Sequence, residues 1–551
     1  MFRKRDMQSV LFEPTNLFTP EKRARLDKTW AHAFRVHALP LIKEEPFAPL
    51  FDEGNGRPNS PAQVVVSVLI LKEMFNLTDD EALDQLEFNL QWQHALQLTP
   101  EEAHLCQKTL HNFREKLMRH DAARLAFEQI TAEIIKVLGI RVNRQRLDST
   151  HIVSNFAILT RLGLFCETLR VALAALRRAH PRLFARLPEE LRNRYLRDDG
   201  NETRYRDAKS DEARRRLDVC ARDIHRVLSF CEGKAAAKLG EVALLQQLFD
   251  DQCELAEGGD RKANEEDDDA GQGGSPVVVK EPESISSRSL QTPHDPDVTY
   301  SGHKGKGYEV QVAETCHEQN DVEIITHVAV TPSCESDDKA TLPTVKDLSQ
   351  RDLQPDELVA DTQYGSAKNA VEAAKLGTEI VSPVGGTAPE SSSEEFKQRP
   401  FTAGDFIVDA KLESPARCPA GYEATSQQFV PNSNVVKLVF DADKCASCPL
   451  AARCPAKTKD GQAVVKVNLE TANLERRRGA EASGEFQKRY DIRAGIEATN
   501  SELKRGHGLG RLRVRGDARV VLAVYFKALA CNVKRMVHAL LRRSQLAGAT
   551  A

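Results

Sequence analysis

Between Tyr490 and Lys504 the chain reads Y-D-I-R-A-G-I-E-A-T-N-S-E-L-K. Tyr490, Arg493, Glu497 and Lys504 carry its reactive groups. Each helical residue turns its side chain by about 100°, so these four fall on one narrow helical face. A carboxylate, two cations and a phenol make a poor core face. They make a good surface for holding a metal ion and phosphates together. The bland alternative is a solvated face laced by i, i+3 and i, i+4 ion pairs. Two features weigh against it. The segment that follows is basic and glycine-rich and includes Arg505 and Arg511. Upstream, two aspartates end short apolar runs: Asp148 in R-Q-R-L-D-S-T-H-I and Asp361 in E-L-V-A-D-T-Q-Y-G-S.

With these residues in place the chain resembles the DDE transposases of bacterial insertion sequences. That family has an RNase H-like catalytic fold and a Y-(2)-R-(3)-E-(6)-K signature around its last acidic residue. The spacing from Tyr490 through Arg493 and Glu497 to Lys504 matches at every step. The resemblance runs from about residue 15 to the C-terminus, leaving out the region between roughly 160 and 290. It implies a catalytic triad of Asp148, Asp361 and Glu497 holding magnesium or manganese. It implies DNA contacts from Tyr490, Arg493, Lys504, Arg505 and Arg511. The partners it implies are double-stranded DNA, both the terminal inverted repeats and the target, bound by a homodimer.

Composition is compatible. A hydrophobic fraction of 41% with 29% charged residues suits a water-soluble globular chain long enough, at 551 residues, for several domains. No apolar run approaches a membrane span, and Met-Phe-Arg-Lys-Arg-Asp leads into no secretory h-region. The expected location is the cytoplasm, in association with the nucleoid, with no membrane partner. A net charge of −4 is an average. Acids crowd around Glu265–Asp269, while bases recur from Lys488 onward, and local charge sets phosphate affinity.

The elements that must position these residues read as an α/β fold: an RNase H-like mixed sheet flanked by helices, with a helical N-terminal domain and two insertions. Residues 1–140 are helical and, by the resemblance, bind DNA. Pro61–Leu77 is a mostly apolar helix, Thr78 or Asp79 caps the next with Glu81 as capping-box partner, and Gln107–Leu117 is amphipathic. Residues 141–156 open the catalytic domain with the Asp148 strand, and 157–255 form a helical insertion. Residues 256–293 read as an acidic flexible linker. Residues 294–383 continue the catalytic domain with an antiparallel pair, Gly307–Thr315 and Asp321–Val330, then helix, the Asp361 strand, helix and strand. Residues 384–484 interrupt it again, and 485–551 supply the C-terminal catalytic helices.

Cys418, Cys445, Cys448 and Cys454 lie in the second insertion. Four thiolates can close a tetrahedral zinc site, and the Cys445–Cys448 gap is the favoured one. Cys418 stands alone and Cys454 is irregularly spaced, so reduced surface thiols remain the alternative.

The chemistry implied is in-line displacement at a phosphodiester, served by two divalent ions about 4 Å apart on a few carboxylates. Water frees a 3′-OH at the transposon end, and that hydroxyl then attacks target DNA. An RNase H-like nuclease that cuts without joining, and a transposase-derived DNA-binding protein that no longer cuts, are the alternatives. A strand-transfer assay separates the first and magnesium-dependent cleavage the second.

Overall fold

The computed structural model describes residues 2, 4–5, 18–51, 59–196, 210–255, 277–384, 399–409, 411–459, 461–481 and 484–549. Helix α1, Ala62–Met74, is buried at every position, as its run of valines and leucines requires. The next helix starts as the sequence indicates: Glu81 N donates to Thr78 Oγ1 (3.2 Å) and Thr78 N to the Glu81 carboxylate (2.7 Å). Helix α2, Gln107–Arg119, buries Leu110, Phe113 and Leu117.

Strand β1 is Arg144–Ile152, β2 Gly305–Thr315, β3 Ile325–Pro332, β4 Glu357–Ala360 and β5 Glu379–Val381. They form one mixed sheet in the order β3-β2-β1-β4-β5, with Thr299–Ser301 paired to the start of β2. β3, β2 and β1 are antiparallel neighbours, while β4 and β5 run parallel to β1. Alternation along the strands gives the sheet two apolar faces. Leu147, Ala313, Leu358 and Ala360 pack against residues of α3, Asp338–Gln350, and α4, Ala367–Leu376. Ile152, Val310, Val312 and Val328 face the other way, into a core shared with α1, α2 and the last helix, Asp517–Ala549. The N-terminal helices and the sheet thus share one continuous hydrophobic core. The fold is α/β with a helical N-terminal region.

Between β1 and β2, the helices Arg161–Ala179, Ser210–Cys231 and Gly240–Gln252 bury a cluster of their own. The flexible linker expected over 256–293 needs correction. Residues 256–276 lie outside the described set, but the rest of the stretch is folded. Val277–Val279 pairs antiparallel with Cys253–Leu255, and Leu290 and Thr292 are fully buried. Three consecutive valines suit a strand, and the partner they pair with, Cys253–Leu255, directly follows the last helix of the insertion. The cysteine-bearing segment carries a four-stranded antiparallel sheet of β6 Ser426–Val430, β7 Val435–Asp441, β8 Lys457–Lys459 and β9 Gln462–Asn468. Val436, Leu438 and Phe440 of β7 alternate inward against Ala463, Val465 and Val467 of β9.

Candidate active site

Parallel pairing of β1 with β4 sets Leu147 opposite Ala360, so Asp148 and Asp361 follow on adjacent strands running the same way. The two carboxylates therefore emerge side by side, Asp148 from the middle of β1 and Asp361 just past the end of β4. Asp361 begins a turn in which its Oδ1 accepts from Gln363 N (2.9 Å). Asp148 points to the opposite side of the sheet from Leu147, toward helix α5, Gly495–Gly506, which carries Glu497. Asn500 Nδ2 of that helix lies 3.3 Å from Asp148 Oδ2.

Arg493 joins the first carboxylate to the third. Its Nη2 stands 3.3 Å from Asp148 Oδ1 and its Nη1 3.7 Å from Glu497 Oε1. The Asp148 side chain is 14% exposed and that of Glu497 69%. Burial raises the Asp148 pKa above the ordinary aspartate value; Arg493 opposes this, while Asp361 and Asp337 add to it. Tyr490 is half-buried and stacks on Phe486 at 5.7 Å. Its phenol is raised too, by burial first, with Arg493 opposing and Asp361 and Asp148 reinforcing. Tyr490 and Arg493 therefore both lie in the field of the two aspartates.

The single-helix picture of the signature needs correction. One helix ends at Tyr490, a 3-10 turn covers Asp491–Ala494, and α5 starts at Gly495. The tighter turn breaks the angular register between Tyr490 and the rest. Arg493 and Glu497 still meet as an i, i+4 pair. Lys504 lies about 10 Å further along α5 by helical rise, its stem against Gly510. Arg505 is exposed. Arg511 donates to the Phe156 carbonyl (3.2 Å), Arg513 to Leu77 O (2.7 Å), and Arg515 to Asn155 O. These bases clip the segment after α5 to the exit of β1 and to the N-terminal helices.

Sequence reasoning missed what seats α5. Glu314 on β2, fully buried, accepts from Arg146 Nε (2.8 Å), Arg535 Nη1 (3.0 Å) and Thr499 Oγ1 (2.6 Å). Arg146 Nη1 also donates to Ile492 O (2.7 Å), and Arg535 pairs with Glu502 at 3.0 Å. Asn500 had a readable signal, since it sits three residues after Glu497 on the same helical side. Glu314 had none, because one glutamate in a strand of an acid-rich chain does not stand out.

Cys418, Cys445, Cys448 and Cys454 all line one cavity of about 240 Å³. Cys418 heads a tight turn: Gly421 N donates to its carbonyl (2.8 Å) and its own N to Tyr422 O (3.0 Å). Gly421 takes a positive φ of 83°, which suits glycine. Burial raises the Cys445 thiol, and the three other cysteines reinforce the shift. Among the described residues, three or more His, Cys, Asp or Glu donors come within 4.8 Å of one another at Asp27–His32–His94 and Glu502–His507–Cys531. The four cysteines surround a common space without reaching that closeness.

Residues 417–537 match the family model described as "Transposase DDE domain", and residues 26–116 match "Transposase domain (DUF772)". The first covers the cysteine cluster, Arg493 and Glu497; the second covers α1 and most of α2. No curated protein and no solved structure matches the chain. Both matched models are transposase models, and together they support a DDE transposase of the insertion-sequence type. No helix among the described residues is long and apolar enough to cross a membrane.

Proposed function

We propose that this transposase cuts DNA at the ends of its own element and joins the freed 3′-OH to target DNA, using Asp148, Asp361 and Glu497 as one metal-binding triad. The observation that carries the reading is the pairing of β1 with β4, which sets two aspartates side by side beneath a helix bearing the third carboxylate. The strand order β3-β2-β1-β4-β5, with the first carboxylate on the central strand, supports an RNase H-like catalytic domain. The resemblance further proposes residues 1–140 as the end-binding domain and a homodimer on DNA.

The residues fit a hard divalent cation such as Mg²⁺ or Mn²⁺. All three side chains offer carboxylate oxygens, and beside Asp148 the buried Asn500 Oδ1 has no hydrogen-bond partner. When bound, such ions would activate the attacking oxygen and stabilise the leaving one. Asp148, Asp361 and Glu497 would hold them. Asn500 orients Asp148. Arg493 offers a planar fork to a DNA phosphate next to the carboxylates. Tyr490 can stack on a displaced base or donate to a phosphate oxygen.

Asp148→Ala, Asp361→Ala and Glu497→Ala, each in the full chain, should abolish magnesium-dependent cleavage and strand transfer while leaving end binding largely intact. Near-wild-type cleavage by any one of them removes that residue from the triad. Cleavage without joining would identify a nuclease instead.

A further inference from the structure

Behind α5, on the side away from the reacting carboxylates, lies a second set of donors. His507 follows the last turn of α5 and is 0% exposed. Its Nδ1 lies 3.0 Å from the backbone carbonyl of Glu73. A carbonyl only accepts, so Nδ1 carries the proton and Nε2 keeps its lone pair. That Nε2 is buried and has no hydrogen-bond partner. It faces Glu502 Oε1 at 4.0 Å and the Sγ of Cys531, which is also fully buried. The nitrogen, oxygen and sulfur all lie within 4.8 Å of one another. A histidine anchored through one ring nitrogen to a carbonyl, with the other bare toward a thiol and a carboxylate, is arranged as metal-ligating histidines are.

We propose that Glu502, His507 and Cys531 supply three ligands of a site for a zinc-type divalent ion, separate from the carboxylate triad. Imidazole, thiolate and carboxylate together suit zinc better than magnesium. Usual zinc bond lengths give donor–donor edges of roughly 3.3–3.7 Å, so the donors must draw in by up to about 1 Å. Binding breaks the Cys531 S–H bond, forms the metal–sulfur bond and releases the proton to solvent. The Cys531 thiolate and the Glu502 carboxylate face the dication together, with Glu502 also shared by Arg535. A cavity of about 350 Å³, lined also by Lys534, Arg535, His538 and Arg542, reaches Glu502 from outside. Two cations compete. Arg535 takes Glu502 Oε2 (3.1 Å), leaving Oε1 for the ion. Lys534 Nζ is 3.7 Å from Oε1, is part-exposed, and must swing out. Such an ion would tie α5 to the last helix and, through the Glu73 carbonyl, to α1.

The test uses full-length protein in which Cys418, Cys445, Cys448 and Cys454 are replaced by Ser, titrated with Co²⁺. A thiolate-to-cobalt charge-transfer band should grow to one equivalent. It should vanish with Cys531→Ala and weaken with His507→Gln. Lys534→Met should tighten cobalt binding by roughly tenfold, as expected on removing a cation a few ångströms from the ion. No band from a chain with unchanged circular dichroism, or a band that survives Cys531→Ala, overturns the proposal. Should the four-serine chain not fold, wild-type protein and Cys531→Ala alone are compared by elemental analysis after zinc loading. A loss of one equivalent supports the site, and equal zinc content overturns it.

Discussion

Gly495 opens α5 two residues before Glu497, and its φ of −63° is ordinary helical backbone. It is glycine for space. A Cβ there would lie 2.1 Å from Arg146 Nη1 and 2.6 Å from Cζ, far inside contact distance. The end of a long side chain can often swing aside, but this one cannot do so freely. The Arg146 side chain is 8% exposed, and its guanidinium is bonded to Glu314 and to the Ile492 carbonyl. Gly495→Ala must therefore either expel the guanidinium or lift α5 off the sheet. Expulsion loses charge-assisted hydrogen bonds worth about 1.5–3 kcal/mol each. Breaking a buried ion pair outright costs about 3–5 kcal/mol. Arg535 and Thr499 still hold Glu314, which puts the expected loss near 2–3 kcal/mol by the same scale. Lifting the helix moves Glu497, and a displacement of about 1 Å can cost on the order of 100-fold in rate. Denaturant unfolding and cleavage of end DNA measure the two effects. Gly479→Ala is the control, since that glycine is exposed within the helix Leu469–Glu481 and a Cβ there meets nothing within 4 Å. It should gain about 0.5–1 kcal/mol. If Gly495→Ala behaves like Gly479→Ala and cleaves normally, the space argument is wrong. Combining Gly495→Ala with Arg146→Met should cost no more than Arg146→Met alone, because the clash and the guanidinium disappear together.

Two further outcomes are expected. Replacing Cys445 by Ser should remove one equivalent of zinc and destabilise the segment around β6–β9; unchanged zinc content would assign Cys418, Cys445, Cys448 and Cys454 to ordinary thiols. Burial pushes Glu323 up to about 7, against the Thr315 hydroxyl and reinforced by Glu314. The folded chain then keeps a proton that the unfolded chain releases, so stability falls as pH rises from the ordinary glutamate value through about 7. Glu323→Gln should flatten that slope in thermal melts, and an unchanged slope would place its origin elsewhere.

Asp361 was legible because it ends the short apolar run L-V-A, and such runs become buried strands, whereas Asp148 follows a single apolar residue, Leu147, and sits in mid-strand. Their adjacency needed only the parallel register of Leu147 with Ala360. Glu497 was legible from its spaced neighbours. The break at Asp491–Ala494 was not, because it accompanies a tertiary contact, the Arg146 guanidinium on the Ile492 carbonyl. The resemblance implied a DNA contact for Arg511, and what no sequence pattern could show is that Arg511, like Arg513 and Arg515, donates to a backbone carbonyl remote in sequence. The helical insertion and β6–β9 bury separate clusters, so their periodicities could be read without knowing where they attach. The single core joining the N-terminal helices to the sheet could not, since it depends on where the last helix lies.

Arg493 has to reconcile two roles. In the free protein it stands between Asp148 and Glu497, where it offsets repulsion among carboxylates gathered on one site. On the proposed reading, divalent ions take over that task and release the guanidinium for a phosphate. The two roles predict opposite signs for one substitution. Arg493→Gln removes the competing cation, so Mn²⁺ should bind more tightly to the DNA-free chain. The same change removes a phosphate contact, so end DNA should bind more weakly, with the slope of log affinity against log salt reduced by roughly one unit. Calorimetric manganese titration and salt-dependent DNA binding measure the two on one preparation. A purely solvated ion pair would change neither by much. If manganese affinity falls along with DNA affinity, Arg493 acts by holding Asp148 and Glu497 in place, and the exchange of partners is wrong.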